Sequence, residues 1–132
     1  MSDFKVSVAR VTDQTDAKAG LRILVDRLWP RGLSKEKAKI DHWLKSIAPT
    51  TDLRQWYQHD PEKWPEFKQR YFEELNTNKS AVDELLKLAE TSSVVLLYAS
   101  KEAHLNNAVA LKDYVSERQS SESSPKSRTF TL

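Results

Sequence analysis

The chain has 132 residues, of which 39% are hydrophobic and 30% charged, a composition typical of a single globular domain. It contains no cysteine, which excludes disulfides, thiolate nucleophiles and cysteine-ligated zinc. Its 21 basic and 19 acidic residues leave a net charge of +2, a smaller basic excess than nucleic-acid-binding proteins usually carry.

Two features of the sequence bear on location. No run of about 18 apolar residues is present, so we predict no membrane span. The first residues, 1–5, lack the charged and apolar regions of a signal peptide. We therefore expect a cytoplasmic protein.

Two strands are predicted near the start of the chain. Phe4, Val6 and Val8 alternate with polar residues, which is the pattern of a half-buried strand. Residues 21–25 are apolar apart from Arg22 and form the second predicted strand. The polar loop between them, residues 12–20, is too short for a crossover helix. The two strands are therefore either an antiparallel hairpin or not neighbours.

Four helical segments are predicted next, over residues 34–48, 53–57, 65–75 and 80–89. In the first, Ser34 is the capping residue, Ile40, Trp43, Leu44 and Ile47 have helical spacing, and Pro49 ends the helix. In the third, Pro65 lies in the first turn, where its missing N–H is not needed.

A buried strand and a last helix complete the predicted domain. Residues 94–98 are continuously apolar, as in a strand buried on both faces. A polar segment, 99–107, precedes a helix that carries Leu111 and Tyr114. We predict one domain over residues 1–117 and a flexible polar tail over 118–132. The sequence leaves open whether residues 129–132 form a short strand or a loose end.

The predicted order is β-β-α-α-α-α-β-α, which indicates a small α/β domain with an open, at least partly parallel sheet flanked by helices. The second and last strands are joined through helices, as in a parallel pair with a right-handed crossover. In open α/β sheets, ligands bind outside the carboxyl ends of parallel strands. We therefore expect residues 26–32 and 99–107 to lie side by side and to form a binding site.

These two loops carry a family resemblance. Residues 24–32 read Leu-Val-Asp-Arg-Leu-Trp-Pro-Arg-Gly, and this nonapeptide is specific. Further matching stretches are Ala48-Pro49-Thr50, Leu53-Arg54-Gln55-Trp56, His59-Asp60, and Leu96-Leu97-Tyr98-Ala99 with Lys101. Over residues 4–116 the chain resembles the DUF488 family, in its YeaO-like branch. The resemblance implies a compact α/β domain, typically a stand-alone bacterial protein, and no established activity.

The chain departs from the family pattern after the last strand. The pattern there reads Tyr-Ala-Ala-Lys-Asp and then His-Asn-His-Ala, whereas this chain has Tyr98-Ala99-Ser100-Lys101-Glu102 and then Leu105-Asn106-Asn107-Ala108. Both histidines of the pattern are absent, and His104 lies one place early. Any role of those histidines as metal ligands or as a general base is therefore in doubt here. Lys101 and Asn106 stand at matching positions.

The candidate ligand-binding residues are mostly cationic. Arg27, Arg31 and Lys101 are predicted to hold an anion, because guanidinium groups keep their charge and present donor forks suited to carboxylate or phosphate. Trp29, Arg54 and Asn106 are further candidates for ligand contact. Structural roles remain open for several of them: Trp29 as a loop anchor, Asn106 or Asn107 as a helix cap, and Arg27 as a structural ion-pair partner.

Asp26 and His59 are the predicted catalytic residues, as groups able to exchange protons. The function that follows is an enzyme or a binding domain for an anionic, phosphate- or nucleotide-bearing small molecule. The alternative is a nucleic-acid-binding or regulatory module that uses the basic segment 31–39. The residue pattern indicates no particular cofactor, and three scattered histidines predict no metal site.

Overall fold

The computed structural model describes residues 5–13 and 19–123. These residues form the strands β1 (Val6–Arg10), β2 (Leu21–Leu24), β3 (His42–Trp43) and β4 (Val94–Tyr98). They also form the α-helices α1 (Lys35–Ala38), α2 (Thr51–Tyr57), α3 (Trp64–Thr77), α4 (Lys79–Thr91) and α5 (Asn107–Ser123), with 3-10 turns at Lys45–Ile47 and Pro61–Lys63. The predicted α/β class is confirmed.

The strands form a parallel sheet in the order β1-β4-β2-β3. β4 lies between β1 and β2, and Leu96 pairs with Val8 on one side and Ile23 on the other. The predicted parallel pairing of the second and last strands of the sequence is confirmed. β1 and β2 are not neighbours, so the hairpin arrangement is excluded.

The sheet has one thickly covered face and one thinly covered face. β4 is buried along its whole length, which explains its continuous apolar sequence. Its Leu96 and Tyr98 side chains join a large cluster to which α2, α3, α4 and α5 all contribute. Val95 and Leu97 face a smaller cluster, covered by side chains of the segment that follows β2. The helices therefore lie mainly on one side of the sheet.

The predicted helix over residues 34–48 is wrong beyond its first turn. Ser34 does cap α1, but the helix ends at Lys39, which has a left-handed backbone with a φ of 52°. The chain then becomes extended, and β3 pairs with the outer edge of β2. Asp41 fixes this pairing, because its carboxylate accepts the N–H of Arg22 at 2.8 Å and its own N–H donates to the Arg22 carbonyl at 2.8 Å. Tertiary pairing thus overrides the helical spacing of the apolar residues.

The last helix is longer than the predicted domain. α5 runs to Ser123 and so enters the predicted tail, and the division at residue 117 stays a prediction. Residues 129–132, where the sequence leaves a strand open, lie outside the described residues. Within the described part of the chain, no helix is long and apolar enough to cross a bilayer.

Gly20 provides a test of the turn that leads into β2. Its φ is +114°, and an added Cβ would lie 1.9 Å from the Ser93 carbonyl oxygen, which accepts the Leu21 N–H at 2.9 Å. Gly20→Ala should therefore lower the free energy of unfolding by about 3 kcal/mol or more, measured by denaturant titration. Gly32→Ala is the matched control, because its φ is +75° but a Cβ there meets nothing within 4 Å. It should lose only about 1 kcal/mol. Equal losses would contradict this account of Gly20.

Candidate ligand-binding cleft

A cleft of about 680 Å³ opens at the carboxyl ends of β2 and β4, in the size range of sites for small organic ligands. The cleft lies where the sequence predicts that residues 26–32 and 99–107 come together. Its lining residues come from the segment after β2, the chain around α2, one position in α3, the loop that follows β4 and the first residue of α5. They are Asp26, Arg27, Leu28, Trp29, Pro30, Arg31, Ala48, Pro49, Arg54, Gln55, Tyr57, Gln58, His59, Phe67, Ala99, Ser100 and Asn107.

The Asp26 carboxylate holds the floor of the cleft together. Its Oδ2 accepts the backbone N–H of Ala99 at 2.9 Å, and its Oδ1 accepts the side-chain amide of Asn107 at 3.1 Å. The same Asn107 nitrogen also donates to the Val25 carbonyl at 3.1 Å. One side chain therefore joins the end of β2 to the end of β4 and to the start of α5.

The pKa of Asp26 is raised above its ordinary value of 3.8. The main cause is desolvation of the carboxylate by burial, which disfavours the charged form. The hydrogen bonds from Ala99 and Asn107 and the positive charge of Arg54 act in the opposite direction but do not cancel it. Asp26 is thus a largely buried acid whose proton affinity is set by its surroundings, and its predicted role in proton exchange stays a prediction.

Two tryptophans fix the loop that follows β2. The Trp43 indole N–H donates to the Asp26 carbonyl at 2.8 Å, and that of Trp29 donates to the Leu33 carbonyl at 2.9 Å. The two rings meet edge to face with centroids 5.4 Å apart. Trp29 lines the cleft and also anchors its own loop, so its predicted contact with a ligand stays a prediction.

The arginines of the cleft fall into two groups. The Arg27 guanidinium donates to the carbonyl oxygens of Ala48 at 3.2 Å and Pro49 at 3.4 Å, so it ties the β2 loop to the start of α2. Arg31 and Arg54 are exposed on the cleft wall. Neither of their guanidinium groups makes a hydrogen bond or a salt bridge within residues 5–13 and 19–123.

A strained segment forms the rim beside α2. Gln58 and His59 are consecutive non-glycine residues with φ values of 48° and 56°. Left-handed backbone at such residues is uncommon and is found mostly where the surroundings enforce it. The His59 ring lies 5.6 Å from the ring of Tyr57, whose hydroxyl donates to the Leu105 carbonyl at 2.7 Å. Burial and two neighbouring carboxylates raise the pKa of Tyr57 to about 12, so this donor stays protonated.

Two of the predicted ligand contacts do not line the cleft. Lys101 is exposed, and its carbonyl accepts a hydrogen bond from Arg10 at 2.9 Å. Asn106 is buried and caps α5, because its Oδ1 accepts the Val109 N–H at 3.0 Å. Its amide donates to the Glu102 carbonyl at 2.7 Å, so the structural alternative given for it is the one observed.

The sequence reasoning assigned no ligand contact to Asn107, Gln55 or Gln58, all of which line the cleft. Asn107 stands where the family pattern has its second histidine, and this position in the pattern could have identified Asn107 as a candidate cleft residue. Gln55 and Gln58 carry no such signal, because an exposed glutamine is ordinary on any helix. In the described part of the chain, no group of three or more His, Asp or Glu side chains could hold a metal ion.

Comparison with known proteins gives a family match and several relatives. Residues 5–130 match the family model described as "Inactive DUF488-N3 subclade". The uncharacterized protein Rv3073c of Mycobacterium tuberculosis is 40% identical over 116 residues, which cover 88% of this chain and 98% of that protein. The uncharacterized protein YeaO of Escherichia coli is 34% identical over 112 residues, or 85% of this chain and 97% of YeaO. No solved structure gives a significant match. The predicted resemblance is confirmed.

Asp26→Asn tests the carboxylate that joins the two strand ends. An asparagine keeps one acceptor oxygen and points an N–H₂ group at a second donor, so one hydrogen bond is lost. In mild acid we expect the free energy of unfolding to fall by about 1–3 kcal/mol, measured by denaturant titration. Asp83→Asn, at an exposed position of α4, is the control and should have little effect.

The pH dependence of the same comparison has a defined sign. Because the pKa of Asp26 is raised on folding, the folded protein holds this proton more tightly than the unfolded chain does. The extra stability of the Asp26 protein over the asparagine variant is therefore greatest at pH values below 3.8, the ordinary pKa of aspartate. It declines as the pH rises through the raised pKa of the folded protein. The stability gap between the two proteins should therefore narrow as the pH rises above 3.8. A gap that widens with pH would contradict the raised pKa.

Proposed function

The chain belongs to the DUF488 family, in the subclade described as inactive, and from this we propose that its cleft binds an anionic small molecule and does not turn it over. The proposal assigns the anion to Arg31 and Arg54. Arg27 and Asp26 hold the frame on which those two cations are placed, and α5 directs the positive end of its dipole towards the same cleft.

The observation that carries the proposal is the pair of uncommitted guanidinium groups. Arg27 uses its donors on two backbone carbonyls, whereas neither Arg31 nor Arg54 donates a side-chain hydrogen bond to a described residue. Arg54 lies near enough to Asp26 for its charge to lower the pKa of that carboxyl, but the two groups form no salt bridge. A guanidinium cannot lose its charge, and its planar fork matches the oxygens of phosphate or carboxylate. Among the residues that line the cleft, three arginines and the one carboxylate of Asp26 leave a surplus of two positive charges, and the carboxylates of Asp60 and Glu102 lie near Tyr57 outside this lining.

Binding without turnover is supported by the state of the groups predicted to act as acid and base. Both oxygens of Asp26 already accept hydrogen bonds from the protein. Asn107, which stands at a histidine of the family pattern, carries an amide that cannot exchange a proton near neutral pH. In this proposal Asp26 is a positioning residue and His59 belongs to the rim, in place of the catalytic roles predicted for them.

The nucleic-acid alternative has less support. It uses Arg31, Lys35, Lys37 and Lys39, which are all exposed. However, the Lys35 ammonium lies 6.0 Å from the Trp29 ring centroid, and Lys45 lies 5.3 Å from that of Trp43. The ring surfaces on which a base would stack are thus in contact with the chain's own cations. These contacts give the cleft more support as the binding site than the basic segment 31–39.

Arg31→Ala and Arg54→Ala test the anion site with inorganic phosphate as the probe. Each variant should bind phosphate at least about tenfold more weakly than the parent, because each removes a charge-assisted hydrogen-bonding group. Binding is followed by ³¹P NMR titration, and folding by circular dichroism and Tm. Both residues are exposed, so Tm should stay close to that of the parent protein. Lys87→Ala, which removes an exposed cation on α4, is the control.

The proposal fails if phosphate does not bind the parent protein, or if both arginine variants bind it as well as Lys87→Ala does. Steeply salt-dependent binding of an RNA or DNA oligonucleotide that is lost in Lys37→Ala and kept in Arg54→Ala would instead support the nucleic-acid alternative. Hydrolysis of a phosphate ester that is abolished by Asp26→Asn would restore the catalytic interpretation.

A further inference from the structure

The cleft is much larger than an anion site requires. Its volume of about 680 Å³ is roughly twenty times the ~30 Å³ share of one water molecule in the liquid. Inorganic phosphate has five heavy atoms and would fill a small part of it. A ligand that fills this cleft therefore has a larger organic group attached to its anionic group.

The apolar part of the cleft indicates the chemical character of this organic group. Tyr57 and Phe67 lie behind the lining and are only 2% and 1% exposed, so the half-buried indole of Trp29 is the ring with more surface open to a ligand. Leu28 also lines the cleft, although its side chain is 63% exposed and belongs to neither hydrophobic cluster of the protein. An exposed aliphatic side chain in the same lining as an indole offers an apolar surface to an apolar or aromatic group of a ligand.

Two amides give the cleft a means to recognise the edge of a ring. Gln55 and Gln58 are exposed, line the cleft, and make no side-chain hydrogen bond in the described part of the chain. Gln58 directly follows α2, the helix that carries Arg54, and both residues line the cleft. An amide offers a donor and an acceptor together, which matches the paired groups on the edge of a purine or pyrimidine base.

We propose that the ligand of the cleft is a nucleoside monophosphate, with its phosphate on Arg31 and Arg54 and its base against Leu28 and Gln58. This assignment rests on the proposed function above. The charge fits, because a phosphate monoester close to a dianion matches the two surplus positive charges of the cleft.

The test uses three probes that share one anion: inorganic phosphate, ribose 5-phosphate and adenosine monophosphate. Each is titrated against the full chain by calorimetry, with intrinsic tryptophan fluorescence as a second readout. Adenosine monophosphate should bind at least about tenfold more tightly than ribose 5-phosphate, because only it carries a base to pack in the cleft. The affinities of ribose 5-phosphate and phosphate should be similar.

Two variants separate the base contacts from the anion contacts. Leu28→Ala and Gln58→Gly should each weaken adenosine monophosphate binding about fivefold and leave phosphate binding unchanged. Gln58→Gly should also keep or raise Tm, since glycine relieves the left-handed backbone, so weaker binding there does not come from poorer folding. Arg31→Ala should weaken all three probes.

The outcomes distinguish this inference from the function on which it rests. If phosphate and adenosine monophosphate bind equally well, the nucleotide assignment is wrong and the anion site stands. If the nucleotide binds more tightly but neither Leu28→Ala nor Gln58→Gly affects it, the placement of the base is wrong. If no probe binds, both proposals fall together.

Discussion

The carboxylate of Asp26 is the constraint on which the cleft depends. It joins the end of β2 to the Ala99 N–H after β4 and to Asn107 at the start of α5, across more than seventy residues of sequence. Burial raises its pKa, so the protein keeps this group at some electrostatic cost. The Asp26 carbonyl also receives the Trp43 indole N–H, which brings β3 and its edge of the sheet into the same arrangement. Four segments of the chain thus meet at one residue.

This arrangement decides which charges are left for a ligand. With the strand ends fixed, the loop after β2 runs beside the chain that precedes α2, and Arg27 is drawn to the carbonyls of Ala48 and Pro49. Arg31, four residues later, is beyond that contact and remains exposed. Arg54 projects from α2 at the same cleft. Arg27 and Asp26 are therefore used in hydrogen bonds within the protein, whereas the guanidinium groups of Arg31 and Arg54 are left to bind a ligand. This difference is the basis of the proposed anion site.

The strand order of the sequence was enough to predict that residues 26–32 and 99–107 meet, because parallel strands end at the same edge of a sheet. The sequence could not separate Arg27 from Arg31, since the difference lies in backbone carbonyls twenty residues away. β3 was missed because a two-residue strand has no periodicity, and its apolar neighbours happen to have helical spacing. Asn106 and Asn107 are adjacent and chemically identical, and only the start of α5 makes the first a helix cap and the second a cleft residue.

The central claim is that Arg31 and Arg54 form an anion site between the two strand ends. A crystal structure of the chain grown in phosphate would test it most directly. The account predicts a phosphate bound by both guanidinium groups in the cleft, with the hydrogen bonds of Asp26 to Ala99 and Asn107 intact. A cleft without phosphate, with Arg31 and Arg54 paired to carboxylates of the chain, would contradict it.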